Sequence, residues 1–196
     1  IRPRGNSAGS VFGGIESAMN LSPKVKQLIR EYVESIAIAL VLALVVRTFI
    51  VQAFKIPTGS MRPTLLEGDR ILVNKFLYRF KEPERGDVIV FKYPEDPKRD
   101  FIKRLVGKSE DSVLIRDGRI RVNGEELTTD SFGERQYYNE APFGREGEPQ
   151  KVPKDHFFVL GDNSASSRDS RFWGFVPGRH LVGKAFLVYW PLHRIR

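Results

Sequence analysis

The sequence predicts a mostly β, antiparallel protein preceded by one N-terminal transmembrane helix. Three observations support this prediction. Residues 36–46 (IAIALVLALVV) carry no polar side chain, whereas short β-like runs separated by turn residues follow Phe54. No run after Phe54 has convincing helical periodicity. The 196 residues leave room for one domain of ordinary size together with an anchor.

Composition narrows the class of protein. Lys and Arg number 32 against 24 Asp and Glu, so the formal net charge of +8 suggests an anionic partner such as nucleic acid or a membrane surface. The chain has no cysteine, which excludes disulfides, thiolate metal sites and a cysteine nucleophile. It has no phosphate-binding loop and no H-E-x-x-H motif, and its three histidines lack metal-ligand spacing. We therefore predict no metal and no cofactor.

The apolar segment is interpreted as a retained membrane anchor. Extended from Val33 to Val51, it approaches the ~20 residues that span a bilayer. No small-x-small cleavage site closes it, and Arg47 and Lys55 can reach an interface. A cleaved signal and a buried core helix are the alternatives. Cations flank the segment evenly, so charge does not orient it in the membrane.

We divide the chain into residues 1–31 (a tail and helix start), 32–54 (the anchor) and 55–196 (the β domain), with a hairpin and loop excursion at about 108–156. Asp117-Gly118 favours a tight hairpin turn. The candidate strands are Arg70–Asn74, Val88–Tyr93, Phe101–Val106, Val113–Arg116, Arg119–Val122, Phe157–Leu160 and Val182–Trp190.

A stiff turn directly after the anchor contains the first candidate functional residue. Pro57 and Pro63 bracket it, and Gly59 permits a backbone conformation that other residues resist. These residues hold Ser60 on a sharp turn close to the predicted membrane surface. The alternative is an ordinary linker turn with a solvent-facing serine.

Two adjacent cations, Lys103 and Arg104, lie in a strand-like apolar run. A period of two places them on opposite faces, and one is expected to point inward, although both faces are apolar and the pattern does not select which. A desolvated lysine has a pKa below its usual value of about 10.4, so it can accept a proton from a serine hydroxyl. Arginine stays protonated and cannot. A salt-bridged edge strand is the alternative.

The third candidate segment, residues 161–177, is dense in small hydrogen-bonding side chains. It contains a possible ion pair between Asp169 and Arg171. Such a loop could orient a catalytic amine through a serine hydroxyl, or it could be a well-tied structural turn.

Together these segments resemble the bacterial type I signal peptidases, membrane-bound serine proteases that remove signal peptides. Five motifs occur in the family's order behind the anchor. They are T-G-S-M-R-P-T-L (58–65), G-D-R-I-L-V-N-K (68–75), R-G-D-V-I-V-F (85–91), K-R-L-V-G (103–107) and the G-D-N…S-R-D-S-R-F-W-G-F-V-P loop (161–177).

The resemblance implies a Ser-Lys dyad in which Ser60 is the nucleophile and Lys103 is the general base. Thr58 falls where a family serine hydroxyl joins the nucleophile's own N–H in the oxyanion hole, and threonine keeps the hydroxyl. Ser167 matches the serine that hydrogen-bonds the lysine. Asp169 and Arg171 match the supporting ion pair.

The resemblance also implies a barrel-like antiparallel catalytic domain without metal or cofactor. Its substrates would be signal peptides of exported preproteins with small residues at −1 and −3. The protein would cross the bacterial cytoplasmic (inner) membrane once, with the domain on the extracytoplasmic (periplasmic) side, and would bind the lipid bilayer but no nucleic acid. This orientation is supplied by the family and not by the charges.

Two other functions are alternatives to this one. A self-cleaving Ser-Lys repressor would need a DNA-binding helix-turn-helix upstream, where residues 1–54 offer an apolar span instead. A non-catalytic, membrane-tethered β domain could bind anionic lipid or nucleic acid through basic strips with interleaved aromatics. Lys75–Lys81 (KFLYRFK) is such a strip.

Overall fold

The computed structural model describes residues 22–133, 135–140 and 142–196. The predicted N-terminal tail, residues 1–20, lies outside this range. The chain divides after Leu44 into two compact units.

The N-terminal helix, α1, covers Pro23–Val45 and continues as one π-helical turn, Val46–Ile50. Its start suits the local sequence, because Pro23 occupies the first helical position and the Val25 N–H donates to Ser22 Oγ at 3.4 Å. None of its residues is buried. The combined helix, Pro23–Ile50, is 28 residues long and is apolar enough to cross a membrane.

Within the described residues, eleven strands follow the helix. They are β1 (Val51–Lys55), β2 (Arg70–Asn74), β3 (Val88–Tyr93), β4 (Asp96–Gly107), β5 (Ser112–Arg116), β6 (Arg119–Val122), β7 (Glu125–Glu126), β8 (Gln150–Lys151), β9 (His156–Leu160), β10 (Val176–Pro177) and β11 (Leu181–Trp190). A four-residue helix, α2, covers Ser170–Trp173. Each of the seven candidate strands is present, so the prediction of a mostly antiparallel β protein is confirmed.

The larger sheet has seven strands in the order β1-β2-β11-β3-β4-β9-β10, and every neighbouring pair is antiparallel. β1 differs from the sequence prediction, which assigned residues 51–54 to the anchor. In the structure Val51–Lys55 pairs with β2 over all five residues. A short apolar run does not distinguish the end of a helix from a strand, and here the pairing partner decides.

The smaller sheet, β7-β6-β5-β8, occupies the predicted excursion. Asp117 and Gly118 both adopt positive φ, +51° and +73°, as the tight β5–β6 turn requires. Its buried side chains, including Val113 and Ile120, form one cluster with Phe158 and Leu160 of β9. The smaller sheet therefore packs against the strand that leads into residues 161–177.

Candidate active site

The turn after β1 is packed onto the hydrophobic core by the side chain of Met61. Gly59–Met61 forms one 3₁₀ turn, and Met61 is completely buried in a cluster with Ile56 and Leu65. Ser60 lies between Gly59 and Met61 and is itself 7% exposed. The buried Met61 side chain, on the C-terminal side of Ser60, therefore fixes the position of the serine.

Lys103 reaches this serine from β4. Its Nζ donates to Ser60 Oγ at 2.7 Å and to the Ile102 carbonyl at 3.0 Å. Burial of the amine, which is 4% exposed, lowers the pKa of Lys103 from 10.5 to about 8. The nearby carboxylates Asp169 and Asp162 oppose this shift because they favour the charged ammonium.

Both adjacent cations are buried, so the expectation that only one points inward is wrong. Arg104 is 5% exposed and forms a bidentate ion pair with Asp162, at 2.7 and 2.6 Å. It also donates to the Gly86 carbonyl at 2.6 Å. All residues from Lys103 to Gly107 are buried because both faces of this part of β4 are covered.

The ion pair expected in residues 161–177 is present and wholly buried. Arg171 meets Asp169 through two hydrogen bonds, at 2.8 and 2.9 Å, and both side chains are 0% exposed. The guanidinium also donates to the Tyr138 carbonyl and to Ser164 Oγ, each at 2.8 Å. Asp169 accepts from the Gly161 N–H at 3.0 Å, which closes the loop on itself.

Residues 161–177 contact the turn that carries Ser60 directly. The Asn163 N–H donates to the Ser60 carbonyl at 3.0 Å, and its side-chain amide donates to the Gly59 carbonyl at 3.2 Å. A Cβ on Gly161 would lie 2.6 Å from the Ser60 carbonyl oxygen, so only glycine fits this close approach. Sequence reasoning did not assign roles to Asp162 and Asn163, although the G-D-N motif contains them.

Ser167 and Thr58 make no hydrogen bond to Ser60 or Lys103 within the described residues. Ser167 is buried, but within the described residues its Oγ has no hydrogen-bond partner, so the hydrogen bond expected to Lys103 is not formed. The lysine's two hydrogen bonds go to Ser60 and Ile102. Thr58 is exposed, with an extended backbone (φ −135°, ψ 155°), and immediately precedes the 3₁₀ turn.

A small, mostly apolar depression of about 40 Å³ lies next to β1 and β4. Its lining includes Ile102, which precedes Lys103, and Pro57 in the segment that leads to Ser60. The apolar lining residues are Phe54, Ile56, Pro57, Ile71, Val90, Phe101 and Ile102. In the described part of the chain, no group of three or more His, Cys, Asp or Glu residues could hold a metal ion.

Comparison with known proteins assigns the class. Residues 29–190 match the family described as "Signal peptidase, peptidase S26". With its antiparallel β fold, the chain is a serine peptidase and therefore a hydrolase. It belongs to the signal peptidase S26 family.

Relatives within this family bear the name signal peptidase I. "Signal peptidase I" of Leptolyngbya laminosa is 39% identical over 180 residues, covering 88% of this chain and 85% of the relative. "Probable signal peptidase I-2" of Synechocystis sp. is 41% identical, covering 80% and 71%. A crystal structure of a signal peptidase I from Enterococcus faecalis is 30% identical with a TM-score of 0.45, covering 53% of this chain and 97% of that one. The family predicted from the five motifs is confirmed.

Proposed function

We propose that this protein is a membrane-bound endopeptidase that removes N-terminal signal peptides from exported preproteins, with Ser60 as nucleophile and Lys103 as general base. The observation that carries the proposal is the 2.7 Å hydrogen bond between Ser60 Oγ and Lys103 Nζ. Both groups are buried, and the pKa of the lysine is lowered to about 8, so a useful fraction of the amine is neutral near physiological pH.

Acylation follows from this pair. The neutral amine of Lys103 accepts the Ser60 hydroxyl proton while Oγ attacks the scissile carbonyl carbon. The resulting ammonium then returns the proton to the departing amine of the mature protein, leaving the signal peptide as an ester on Ser60. A water molecule, deprotonated by the same lysine, hydrolyses that ester. In this mechanism the lysine amine takes the role that the histidine imidazole has in a Ser-His-Asp triad, first as general base and then as general acid.

The proposed oxyanion hole consists of the Ser60 N–H and the Thr58 hydroxyl. Within the described residues, the Ser60 N–H donates to no protein acceptor. Thr58 stands two residues earlier in the chain, so a hydroxyl and an N–H from one turn can converge on the same oxygen. Donors aimed at developing charge in a water-poor site are worth more than in solution.

Asp169 and Arg171 are proposed as positioning residues and not as reacting groups. Their ion pair ties the loop that clamps the Ser60 turn, and Asp169 also holds the Gly161 N–H. The proposed role of Ser167 is to orient the lysine amine. Its buried hydroxyl has no partner within the described residues, which leaves it available for this role.

The substrate is proposed to bind in extended form beside the dyad. β1 is an edge strand of the larger sheet, so one side of it is open to main-chain pairing with a peptide. The adjacent apolar depression is small, which suits small side chains at −1 and −3, the A-x-A pattern of signal-peptide cleavage sites.

The helical part of the predicted anchor, which ends at Ile50, is proposed to form the single membrane span, because Val51–Lys55 belongs to the larger sheet. The β domain, from β1 onward, would lie on the extracytoplasmic face of the bacterial cytoplasmic membrane. Helix length and apolar composition support the anchor, and the orientation rests on the family.

The test is cleavage of a purified preprotein with an A-x-A site by the full chain in detergent micelles. Ser60→Ala and Lys103→Met should each abolish the activity. Lys98→Met is the matched control, because Lys98 lies on the same strand but is exposed, and it should retain full activity. Full activity in either dyad variant would exclude the assignment.

The pH profile tests the lysine independently. Because the neutral amine is the reactive form, kcat/KM should rise as pH increases through about 8, the pKa of Lys103, and then level off. Initial rates between pH 6 and 10 measure this. A rate that climbs only near the ordinary lysine value of 10.5 would contradict the desolvated base.

A further inference from the structure

A cavity of about 610 Å³ opens beside β1, away from the dyad. Its wall combines residues from the last turn of the apolar helix and from β1 with cations from the larger sheet and the β2–β3 connection. These lining residues are Thr48, Phe49, Gln52, Lys75, Arg79 and Lys92. The dyad uses none of them, and only Gln52 belongs to β1, the strand proposed to pair with the peptide.

The charge in this cavity is predominantly positive. Three cations line it against one carboxylate, Asp100, which pairs with Lys92 at 2.8 Å. Lys75 Nζ donates to the Thr48 carbonyl at 3.0 Å, so its charge is met only by a neutral oxygen in that contact. A ligand that complements this cavity is therefore anionic.

Exposed aromatic rings border the cations. Phe49 is 58% exposed, and Phe76 and Phe80 are 38% and 77% exposed. The two rings of the β2–β3 connection pack edge-on at 4.8 Å, and the guanidinium of Arg79 lies 5.7 Å from the Phe76 ring centre. Exposed Phe rings beside Lys and Arg are typical of surfaces that lie in the membrane interface, where the rings enter the acyl boundary and the cations stay at the headgroups.

The segment that carries these rings is fixed and not a free loop. Tyr78 Oη donates to Asp87 at 2.9 Å, and Lys184 pairs with the same carboxylate at 2.5 Å. The Lys75 N–H donates to the Ile50 carbonyl at 2.9 Å. Ile50 is the last residue of the helix that can span a membrane. The rings and cations are thus bonded to the point where the chain leaves that helix.

We infer that this cavity binds the headgroup of an anionic phospholipid of the bilayer, with Lys75, Arg79 and Lys92 on its phosphate and the rings of Phe76 and Phe80 in the interfacial layer. The direct bond to the end of the helix favours a bilayer lipid over a soluble anion. The inference rests on the proposed membrane anchor and is independent of the dyad.

Native mass spectrometry of the full chain, in neutral detergent, tests the site by titration with dioleoyl phosphatidylglycerol or dioleoyl phosphatidylcholine. Arg79→Gln/Lys92→Gln removes two cavity cations. Its control, Arg116→Gln/Arg119→Gln, removes two cations of the smaller sheet and changes the net charge equally. We expect preferential binding of phosphatidylglycerol, weakened about fivefold for each cavity cation removed and unchanged in the control.

Equal loss in the two double variants, or no preference in the unmodified chain, would overturn the site. Displacement of the lipid by inorganic phosphate at equal concentration would identify a soluble-anion site and refute the lipid. If the double variant does not fold, the same lipid titration is made with Arg79→Gln alone, because the side chain of Arg79 is exposed and its replacement should not affect folding. Extraction of the chain from membranes by alkaline carbonate would reject the anchor, while cleavage in detergent would still report on the dyad.

Discussion

Replacement of Lys103 by methionine should stabilise the protein at neutral pH while removing its activity. The pKa of Lys103 falls from 10.5 to about 8 because the amine is buried. A tenfold change in proton affinity corresponds to about 1.4 kcal/mol, so the charged lysine costs the folded state about 3 kcal/mol at pH 7. Methionine has similar length and no charge to desolvate. The two hydrogen bonds of the amine offset part of this gain, by about 1 kcal/mol each.

The pH dependence has a definite sign. Between pH 8 and 10.5 the unfolded chain binds a proton at Lys103 that the folded chain does not, so stability rises with pH through this window. From pH 7 to pH 10 the free energy of unfolding of the unmodified protein should therefore increase relative to Lys103→Met by about 2.5 kcal/mol. All other titrating groups are common to both proteins and cancel in the difference.

The assay is urea unfolding of the full chain in detergent micelles, followed by tryptophan fluorescence at several pH values. Trp173 is suited to this because it packs against the rings of Tyr93 and Phe101 in the β domain. A difference between the two proteins that stays constant from pH 7 to pH 10 would refute the argument, since it would mean that Lys103 titrates normally in the folded state.

Three further predictions concern the surroundings of the dyad. Thr58→Val should lower kcat by about 10²–10³ with little change in KM, whereas Thr58→Ser should remain active; steady-state kinetics on a preprotein distinguishes the two. Arg104→Met leaves the buried carboxylate of Asp162 without its bidentate partner and should cost about 3–5 kcal/mol in urea unfolding. The loss should be smaller when Asp162→Asn is added. Gly161→Ala places a Cβ against the Ser167 side chain and 2.6 Å from the Ser60 carbonyl oxygen, so Ser167 and the Ser60 turn must both shift and cleavage should fall by roughly 10²-fold; an unchanged rate would show that the loop does not position Ser60.

Much of the fold was predictable because its signals are local. The β5–β6 hairpin follows from Asp117-Gly118, whose positive φ values few other residue pairs adopt readily. The helix start follows from Ser22 and Pro23. The boundary between helix and β1 was not predictable, because residues 51–54 suit either structure and only pairing with β2 selects the strand.

The site was predictable in part. The motif resemblance supplied Ser60 and Lys103, and the structure brings these two side chains within 2.7 Å across 43 positions of sequence. It does not form the hydrogen bond expected from Ser167. The contribution of Asn163, which holds the Ser60 turn through two hydrogen bonds, depends on how two distant loops meet, and no local pattern carries that information.

The sequence alone specifies the apolar helix, seven of the strands and the alternation that places Lys103 and Arg104 on opposite faces of one strand. Tertiary structure alone decided that both faces would be covered. The alternation of a strand specifies on which face of the sheet a residue lies. The residues that cover that face and exclude water from the side chain come from elsewhere in the chain. Here the turn at Ser60 meets the lysine and Asp162 meets the arginine. The same desolvation that lowers the pKa of the lysine thus arises from contacts between segments far apart in sequence.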